Sequence, residues 1–447
     1  MLDRPDRAFV AALVAIGAAY ASLFGYYFLA VMIRRPYLDM FHYIMDYLDY
    51  PRTGGFLHYL WSQYLYSEHR QIWMRLLTAA DVGVFQGVAY PFLVVDTMAV
   101  AALPVLIGRE VSRAGLPPTL GVTAVWATVM LTLTTANVAD CSIPIEGIYP
   151  QTLFFAVLSL VLFVGDEESG RTAALYRVGA IIAAIGAGLA SAVGLIIWPI
   201  LAWAAWRGSS GWRWTAAVVA VAAVFIAFYT DGLVLFGLNA AITGDRQFYS
   251  SRHLLDAADA LIAFLGLPWT RAPALAVAGR ALGAGLLLAG SFVVAHRGFL
   301  SLRCGRLERI GTGLIMFSLA TAGFAAVGRV GSQWQGIWPV RYALFLAPLH
   351  LGLLCLALPW LKERWASRHG RRLTQAAALS FGAVMLVQQV AAGQAGARES
   401  QALNAAIAEF MATGREPAIR QVLWDNLAQT QHVVDEMRRR QLYLSVN

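Results

Sequence analysis

The stretch IIAAIGAGLASAVGLIIWPILAWAAW, residues 181–206, determines on which side of a membrane each later loop of the chain lies. It is apolar throughout, yet it is longer than the roughly 20 helical residues that cross a bilayer core of about 30 Å. Gly194 and the pair Trp198-Pro199 interrupt it, and glycine and proline are the residues that weaken or break helices. We therefore predict two short helices within residues 179–206, which form a hairpin and return the chain to the side from which it came.

The distribution of basic residues supports the hairpin. With two helices in that stretch, six short basic segments fall on one side of the membrane, and together they hold 17 of the 34 Lys and Arg residues. They are Arg4/Arg7, Arg109/Arg113, Arg171/Arg177, Arg207/Arg213, Arg297/Arg303/Arg306/Arg309 and Lys362/Arg364/Arg368/Arg371/Arg372. Short loops rich in Lys and Arg stay in the cytoplasm, and a single crossing would put the two most basic loops opposite the basic N-terminus. We therefore predict a cytoplasmic N-terminus and a periplasmic C-terminus.

Composition places the whole chain in a membrane. Of its 447 residues 59% are hydrophobic, only 13% are charged against about 25% in soluble domains, and the mean hydropathy is +0.59. Helices are the expected element because lipid offers no hydrogen-bond partner to a bare backbone. We predict an all-α integral membrane protein with about 11 transmembrane helices, including the hairpin. The spans are 8–33, 84–107, 118–137, 150–165, the pair within 179–206, 214–236, 275–296, 310–328, 340–360 and 373–394.

The same composition argues against several kinds of site. The net charge of +8 is concentrated in loops between spans, so no basic surface of a soluble domain is left for nucleic acid. Cys141, Cys304 and Cys355 lie far apart and show no metal-ligand spacing. We therefore expect neither a structural disulfide nor a zinc site.

Three segments on the predicted periplasmic side are longer than a turn requires. Residues 34–80 and 237–272 are outer loops of a transmembrane domain that we assign to residues 1–394. Residues 395–447 form a polar tail with a helical pattern. Function is expected in these segments, because binding and catalytic residues concentrate on loops that a rigid scaffold positions.

The first outer loop carries the strongest functional signal. In a helix its polar residues form one stripe beside an apolar stripe, which is typical of an amphipathic helix lying on the membrane surface. The stripe consists of Asp39, His42, Asp46 and Asp49. After Gly54-Gly55 comes a second aromatic helix that ends in Glu68-His69-Arg70. These groups either serve a site at the outer membrane boundary or only solvate the exposed faces of two surface helices.

This arrangement resembles the GT-C glycosyltransferases. The matching features are an acidic residue just beyond the first span, two surface helices in a long outer loop, many further spans and a polar C-terminal piece. The shorter matching motifs are Glu68-His69-Arg70, Phe264-Leu265-Gly266 before Pro268, Gly328-Arg329 and Arg341-Tyr342. Many members carry two acids in the first loop, whereas this chain has only Leu38-Asp39-Met40, which makes Asp39 a stronger candidate than Asp46.

The resemblance implies an enzyme of the bacterial inner membrane. Such an enzyme takes a sugar from a polyprenyl-phosphate or polyprenyl-pyrophosphate carrier and passes it to a glycan, lipid or protein acceptor. By position, Asp39 matches the acidic residue that acts as general base or orients the acceptor. No cofactor is required by this chemistry, and the remaining partners are membrane lipids.

Arginines are the expected ligands of the donor phosphate, because the planar guanidinium binds phosphate oxygens through two hydrogen bonds. Arg70, Arg329 and Arg341 lie at predicted outer boundaries, with Tyr342 beside the last of them. The alternative for each is a side chain that reaches from a helix end to the interface. Arg341 is the hardest to explain that way, since it stands on the outer side against the charge bias.

Further residues are candidates for supporting roles: His42, Asp46, Glu68, His69 and Glu146. The histidines would tune Asp39 or donate to the phosphate. Asp140 and Glu146 precede a span and either face the acceptor cavity or only end helices. A divalent ion held by the acids and histidines of the first loop is the less favoured alternative, because hard ions prefer several oxygen ligands.

Two other functions fit the same composition. One is a transporter or flippase of a lipid-linked saccharide, and the other is a polymerase or ligase of carrier-bound glycans in cell-envelope or exopolysaccharide synthesis. A transporter places its ionisable residues near the midplane of broken helices, whereas the polar residues here collect at the outer boundary. The pattern favours an enzyme.

Overall fold

The computed structural model shows a bundle of helices. It describes residues 4–62, 70–165, 171–208, 211–233, 251–267, 269–271, 273–301, 304–329, 338–415 and 427–443. In these ranges there is no strand, and ten helices are long and apolar enough to cross a membrane. The chain is therefore an all-α, multi-pass membrane protein, as the sequence predicted.

The helices follow one another with short connections. They are α1 Arg4–Val31, α2 Met40–Thr53, α3 Gly55–Trp61, α4 Ile72–Gly83, α5 Tyr90–Ser112, α6 Pro118–Thr132, α7 Val138–Ser142, α8 Ile148–Gly165, α9 Arg171–Ala190, α10 Ile197–Arg207, α11 Gly211–Thr230, α12 Ser251–Leu265, α13 Ala276–Val293, α14 Arg306–Arg329, α15 Ala347–Trp365, α16 Arg368–Thr413 and α17 Leu427–Arg439. Several begin with a 3₁₀ turn, of which Pro144–Gly147 and Val340–Leu346 matter most for function.

The chain reverses within the predicted hairpin. Helix α9 ends at Ala190, and Gly194 then lies so close to the carbonyl of Ala187 that a side chain would not fit. Residues Ala192–Arg207 form a shorter apolar helix that returns to the starting side. The first helix of the pair is longer than predicted because it begins at Arg171, outside the purely apolar stretch.

Contacts bring the basic segments to one end of the bundle, which we call the arginine-rich end. They are Asp6–Arg371 (3.7 Å), Glu110–Arg306 (2.5 Å) and Arg207 to the Ser301 carbonyl. A cavity of about 260 Å³ beside Glu110 adds α9 to the same end through Tyr176. The opposite end, which we call the loop end, holds the described parts of residues 32–89, the link 138–149 and Arg341. That the arginine-rich end is cytoplasmic stays a prediction.

One membrane span is broken. Between α6 and α7 the backbone leaves the helix at residues 133–137, and the buried amide of Gln389 in α16 fills the gap. Its oxygen accepts from the Thr135 N–H at 2.8 Å, and its nitrogen donates to the carbonyls of Leu133 at 3.0 Å and Tyr20 at 3.2 Å. One side chain therefore supplies the hydrogen bonds that the interior of a membrane protein cannot take from water.

Replacing Gln389 by Leu is expected to lower the free energy of unfolding by several kcal/mol, because the Thr135 N–H and the Leu133 carbonyl lose their partner and each orphaned group costs about 1–3 kcal/mol. Thermal unfolding of the purified protein in detergent measures this. Gln388→Leu is the matched control, since its amide contacts only Thr134, at 3.4–3.5 Å. Equal unfolding temperatures for the two variants would contradict this role of Gln389.

The last span continues far beyond the bundle. Helix α16 has 46 residues, which corresponds to about 70 Å, so the boundary expected at residues 394–395 lies inside one continuous helix. Its outer part packs Leu403, Ile407 and Phe410 against α2 and α17. These residues form an apolar core at the loop end, separate from the core between the spans. The C-terminal tail is therefore built onto the first outer loop.

The first outer loop holds a third helix that the sequence reading missed. Helix α4 occupies the end of the predicted loop 34–80 and the next three residues, and α5 begins only at Tyr90, not at residue 84 as predicted. Gln86, Gly87 and Ala89 adopt positive φ, so the chain turns sharply there instead of continuing one helix.

Candidate functional site

Asp39 begins α2 at the loop end and keeps its carboxylate free. The main-chain carbonyl of Asp39 accepts from the N–H groups of His42 at 3.1 Å and Tyr43 at 3.3 Å, while its side chain does not cap the helix. Within the described residues the half-buried carboxylate has neither a hydrogen bond nor an ion pair. Leu38 before it has φ 47°, a strained conformation of the kind that clusters at functional sites. In the described part of the chain, therefore, no other side chain competes for the Asp39 carboxylate, and its role as a base stays a prediction.

The segment that carries Asp39 is tied to the link 138–149 and to α16. The N–H of Ile33 donates to the Ser142 carbonyl at 3.1 Å, and Asn404 donates from its amide to the Met32 carbonyl at 3.1 Å. These bonds bring the start of α2 next to the turn Pro144–Gly147.

Tyr37 is a buried tyrosine just before Asp39. The pKa of its phenol is raised to about 12, chiefly by burial and next by the charge of Glu146, with Glu399 and Asp39 adding to the rise and Arg341 opposing it. The link 138–149 connects the two candidates, because Ser142 is bonded to Ile33 before α2 and Glu146 pairs with Arg341. The predicted base and the predicted phosphate ligand therefore lie at the same end of the bundle, although they are about 300 residues apart in the chain.

Arg341 is held by an acid. Its Nη1 lies 3.1 Å from Oε1 of Glu146, and the two side chains are 30% and 10% exposed. Tyr342 packs in an aromatic cluster with Trp338, at 5.3 Å between ring centroids, and Tyr149, at 5.5 Å. The cluster packs around the turn that carries Arg341, whose guanidinium lies over the Tyr342 ring, 5.9 Å from its centroid, and pairs with Glu146.

The guanidinium of Arg70 makes its hydrogen bonds to main-chain carbonyls of the protein. Its Nε donates to the Tyr229 carbonyl at 2.7 Å, and its two terminal nitrogens donate to the carbonyls of Trp61 and Asp231. The guanidinium also stacks over the Trp61 ring, 4.8 Å from its centroid. In this conformation Arg70 fastens the first outer loop to the end of α11, and its assignment to the donor phosphate stays a prediction.

His42 and Asp46 belong to a buried network whose third member the sequence reading missed. Asp46 Oδ2 lies 3.2 Å from Nε2 of His42 and 2.9 Å from Nη1 of Arg75. Arg75 is fully buried and stacks over the rings of Tyr43 and Tyr59 at 5.7 and 5.0 Å. The available signal was a single basic residue within the apolar helix IWMRLLTAADVG. The network joins α2, α3 and α4 behind Asp39.

Replacing Asp46 by Asn is expected to destabilise the protein by roughly 3 kcal/mol, because Arg75 loses the charge that faces it in a buried position. Burial opposes ionisation of Asp46, but the hydrogen bond of His42 and the charges of His42 and Arg75 outweigh it and lower the pKa of the carboxyl. Because the pKa of Asp46 is lower in the folded protein, its ionised form stabilises the fold at any pH above 3.8, the pKa in the unfolded chain. This stabilisation is lost as the pH falls through the pKa of the folded state.

Thermal unfolding of wild type and Asp46→Asn across pH 3–7 measures this contribution. We expect the unfolding temperature of Asp46→Asn to lie below that of wild type by a constant amount from pH 7 to about pH 5. Below about pH 4 this gap between the two proteins should shrink. Asp49→Asn, on the same helix, is the control and should behave as wild type. Identical unfolding of wild type and Asp46→Asn at pH 7 would refute the role of the network.

The C-terminal tail closes over the first loop through a second buried acid. Asp81 accepts from the Tyr443 hydroxyl at 2.7 Å and from the Ala89 N–H at 2.8 Å. Burial raises the pKa of Asp81, and the same two hydrogen bonds lower it in part. The main-chain N–H of Tyr443 also donates to the Gln86 carbonyl at 3.1 Å. Neither residue stood out in the sequence, because their pairing joins segments about 360 residues apart.

Three predicted site residues are described only in part or not at all. Glu68 and His69 lie outside the described residues, and Arg329 is described only as the last backbone position of α14. Their roles stay predictions. In the ranges that are described, no three acidic, histidine or cysteine side chains converge in a way that would hold a metal ion.

The second outer loop is described from residue 251 onward. Helix α12 packs against α13 and α14, and Trp338 donates from its indole N–H to the Ala260 carbonyl at 2.8 Å. Asp259 pairs with Arg280 at 2.9 Å. The described part of this loop is thus an ordered helix beside the turn that carries Arg341, and residues 237–250 lie outside the description.

Comparisons of the chain with protein-family models, with curated proteins and with solved structures gave no match.

Proposed function

We propose that this chain is a membrane glycosyltransferase of the GT-C type. It moves a sugar from a polyprenyl-phosphate or polyprenyl-pyrophosphate carrier to a glycan, lipid or protein acceptor at the periplasmic face of the bacterial inner membrane. One observation carries the proposal: Asp39, whose carboxylate has no partner within the described residues, lies at the same end of the bundle as Arg341, and both are tied to the link 138–149.

The proposed reaction needs these two groups in one place. Asp39 accepts the proton of the acceptor hydroxyl as its oxygen bonds to the anomeric carbon. The bond from that carbon to the phosphate oxygen breaks, and the carrier phosphate leaves with the electron pair. Arg341 stabilises the charge on the phosphate, because a guanidinium stays ionised near lipid and binds two oxygens at once.

A single feature favours a second candidate, a flippase of lipid-linked saccharides. The break between α6 and α7 lies beside the buried acid Asp140, and broken helices with buried ionisable groups are common in transporters. Gln389 fills this break with side-chain hydrogen bonds rather than leaving a passage. The filled gap supports the enzyme over the flippase.

The test uses purified protein in lipid vesicles with radiolabelled polyprenyl-phosphate hexose or pentose and a membrane extract as the source of acceptor. We expect label to leave the carrier and appear in a second molecule, with free polyprenyl phosphate as the other product. Label that stays on the carrier but crosses the bilayer would identify a flippase and end the proposal.

A further inference from the structure

A buried acid beside the proposed phosphate site has no partner. Asp140 in α7 is fully buried, and neither of its carboxyl oxygens makes a hydrogen bond within the described residues. On the same turn the side-chain oxygen of Asn137 is also buried without a partner. Most buried polar atoms in proteins are hydrogen-bonded, so two such groups side by side indicate a ligand that would complete them.

The surroundings of Asp140 favour the neutral acid over the carboxylate, because the group is buried and makes no hydrogen bond within the described residues. An ionised carboxylate in an apolar interior without a hydrogen bond is far less stable than the neutral acid. The charges that act on Asp140 are those of Glu146, Arg341 and Asp96, in that order. Two of these three are acids, and the one cation among them already pairs with Glu146. Of this set only Arg341 favours a negative charge on Asp140, and the two acids oppose it.

The neighbourhood holds several acids beside Arg341, together with Arg34 and Arg35, which follow Ile33, the residue whose N–H donates to the Ser142 carbonyl of α7. Its other charged and titratable groups, from the elements around α7 and Arg341, are Cys141, Tyr37, Tyr149, Tyr342 and Glu399. Asp96 is engaged by Gln151, whose amide donates to it at 2.7 Å. A phosphate that approaches Arg341 would therefore meet repulsion from ionised acids, and a neutral acid removes part of that repulsion.

We propose that Asp140, as a neutral carboxylic acid, donates a hydrogen bond to a phosphate oxygen of the polyprenyl-linked donor while Arg341 binds the other oxygens. The phosphate takes the place that Glu146 occupies on Arg341. The proton stays on Asp140, and no bond of the donor changes in this step. This inference rests on the proposed function and adds to it a second phosphate ligand, which the protein can use only in its protonated form.

The proposal predicts how phosphate binding depends on pH. A phosphate ester is fully ionised above about pH 7, so any further change in affinity at higher pH comes from the protein. The affinity of wild type should fall as the pH rises and Asp140 loses its proton. Asp140→Asn keeps a hydrogen-bond donor that does not titrate, so its affinity should stay constant. Asp140→Leu removes the donor and should bind about tenfold to hundredfold more weakly at pH 7.

The experiment measures binding of polyprenyl phosphate to the purified full-length protein in nanodiscs between pH 7 and pH 9. Polyprenol, which lacks the phosphate, reports binding of the lipid tail alone. Asp81→Asn is the matched control, because Asp81 is an equally buried acid that already accepts hydrogen bonds from Tyr443 and Ala89 and is not among the charges that act on Asp140; it should follow wild type. Thermal unfolding of each variant shows that it is folded.

The outcomes separate this inference from the proposed function. Wild type that binds polyprenyl phosphate no better than polyprenol would overturn both. Phosphate-dependent binding that is the same in wild type, Asp140→Asn and Asp140→Leu at every pH would overturn only the role of Asp140. Binding by Asp140→Asn as weak as that of Asp140→Leu would show that the ionised carboxylate is required, and this too would overturn the proposal.

Discussion

Asp39→Asn is expected to slow glycosyl transfer by about 10²- to 10⁴-fold, the contribution that a positioned general base makes. The amide cannot accept the proton of the acceptor hydroxyl, yet it has nearly the shape of the carboxylate. Because the Asp39 side chain has no partner within the described residues, the substitution breaks no contact there, and stability should hardly change. The measurement is the rate of label transfer from polyprenyl-phosphate sugar under saturating donor.

The control for this prediction lies on the same helix. Asp49 is also an acid of α2, ten residues further along, and it has no part in the proposed chemistry. Asp49→Asn should transfer sugar at the rate of wild type. Undiminished transfer by Asp39→Asn, or an equal loss in both variants, would remove Asp39 from the mechanism.

Arg341→Ala is expected to raise the KM for the lipid-linked donor by about tenfold to hundredfold. A hydrogen bond to a charged group contributes about 1.5–3 kcal/mol, and 1.4 kcal/mol corresponds to a factor of ten. The substitution also leaves Glu146 without its cation in a mostly buried position, which would itself disturb the site. The KM for donor and the unfolding temperature should therefore be measured together.

A double variant separates the two effects. In Arg341→Ala/Glu146→Gln the orphaned carboxylate is removed, so stability should return toward that of wild type while the KM for donor stays raised. Arg280→Ala is the matched control, because that arginine lies near the same loops and is held by Asp259 at 2.9 Å. A KM that returns to the wild-type value in the double variant would limit Arg341 to a structural role.

The membrane-spanning part of this fold could be predicted because the bilayer imposes it. Apolar runs of crossing length stand out in sequence, and the basic loops choose between one crossing and two at residues 181–206. The ends of helices were less predictable. The stretch 84–89 is apolar enough to be read as membrane-spanning, yet positive φ at Gln86, Gly87 and Ala89 turns the chain there. A hydropathy profile reports only how apolar a segment is, so it does not reveal a turn made by backbone angles.

The supporting contacts of the site could not be predicted. Asp39 was proposed from the resemblance to GT-C enzymes, and Arg341 because it stands at the outer entrance of a predicted span, against the charge bias. Arg75, Gln389 and the Asp81–Tyr443 pair depend on which distant segments pack together, and a single sequence does not contain that information. The full length of helix α16 was also not predicted. Its outer part is mostly polar in sequence, and its few apolar residues are buried only because α2 and α17 pack against them.

The most direct measurement is a structure of the protein with polyprenyl phosphate bound. We expect the phosphate within hydrogen-bond distance, below about 3.2 Å, of a guanidinium nitrogen of Arg341, at the end of the bundle where the Asp39 carboxylate lies. A phosphate bound instead at the arginine-rich end, beside Glu110 and Arg306, would contradict a transferase site formed by Asp39 and Arg341.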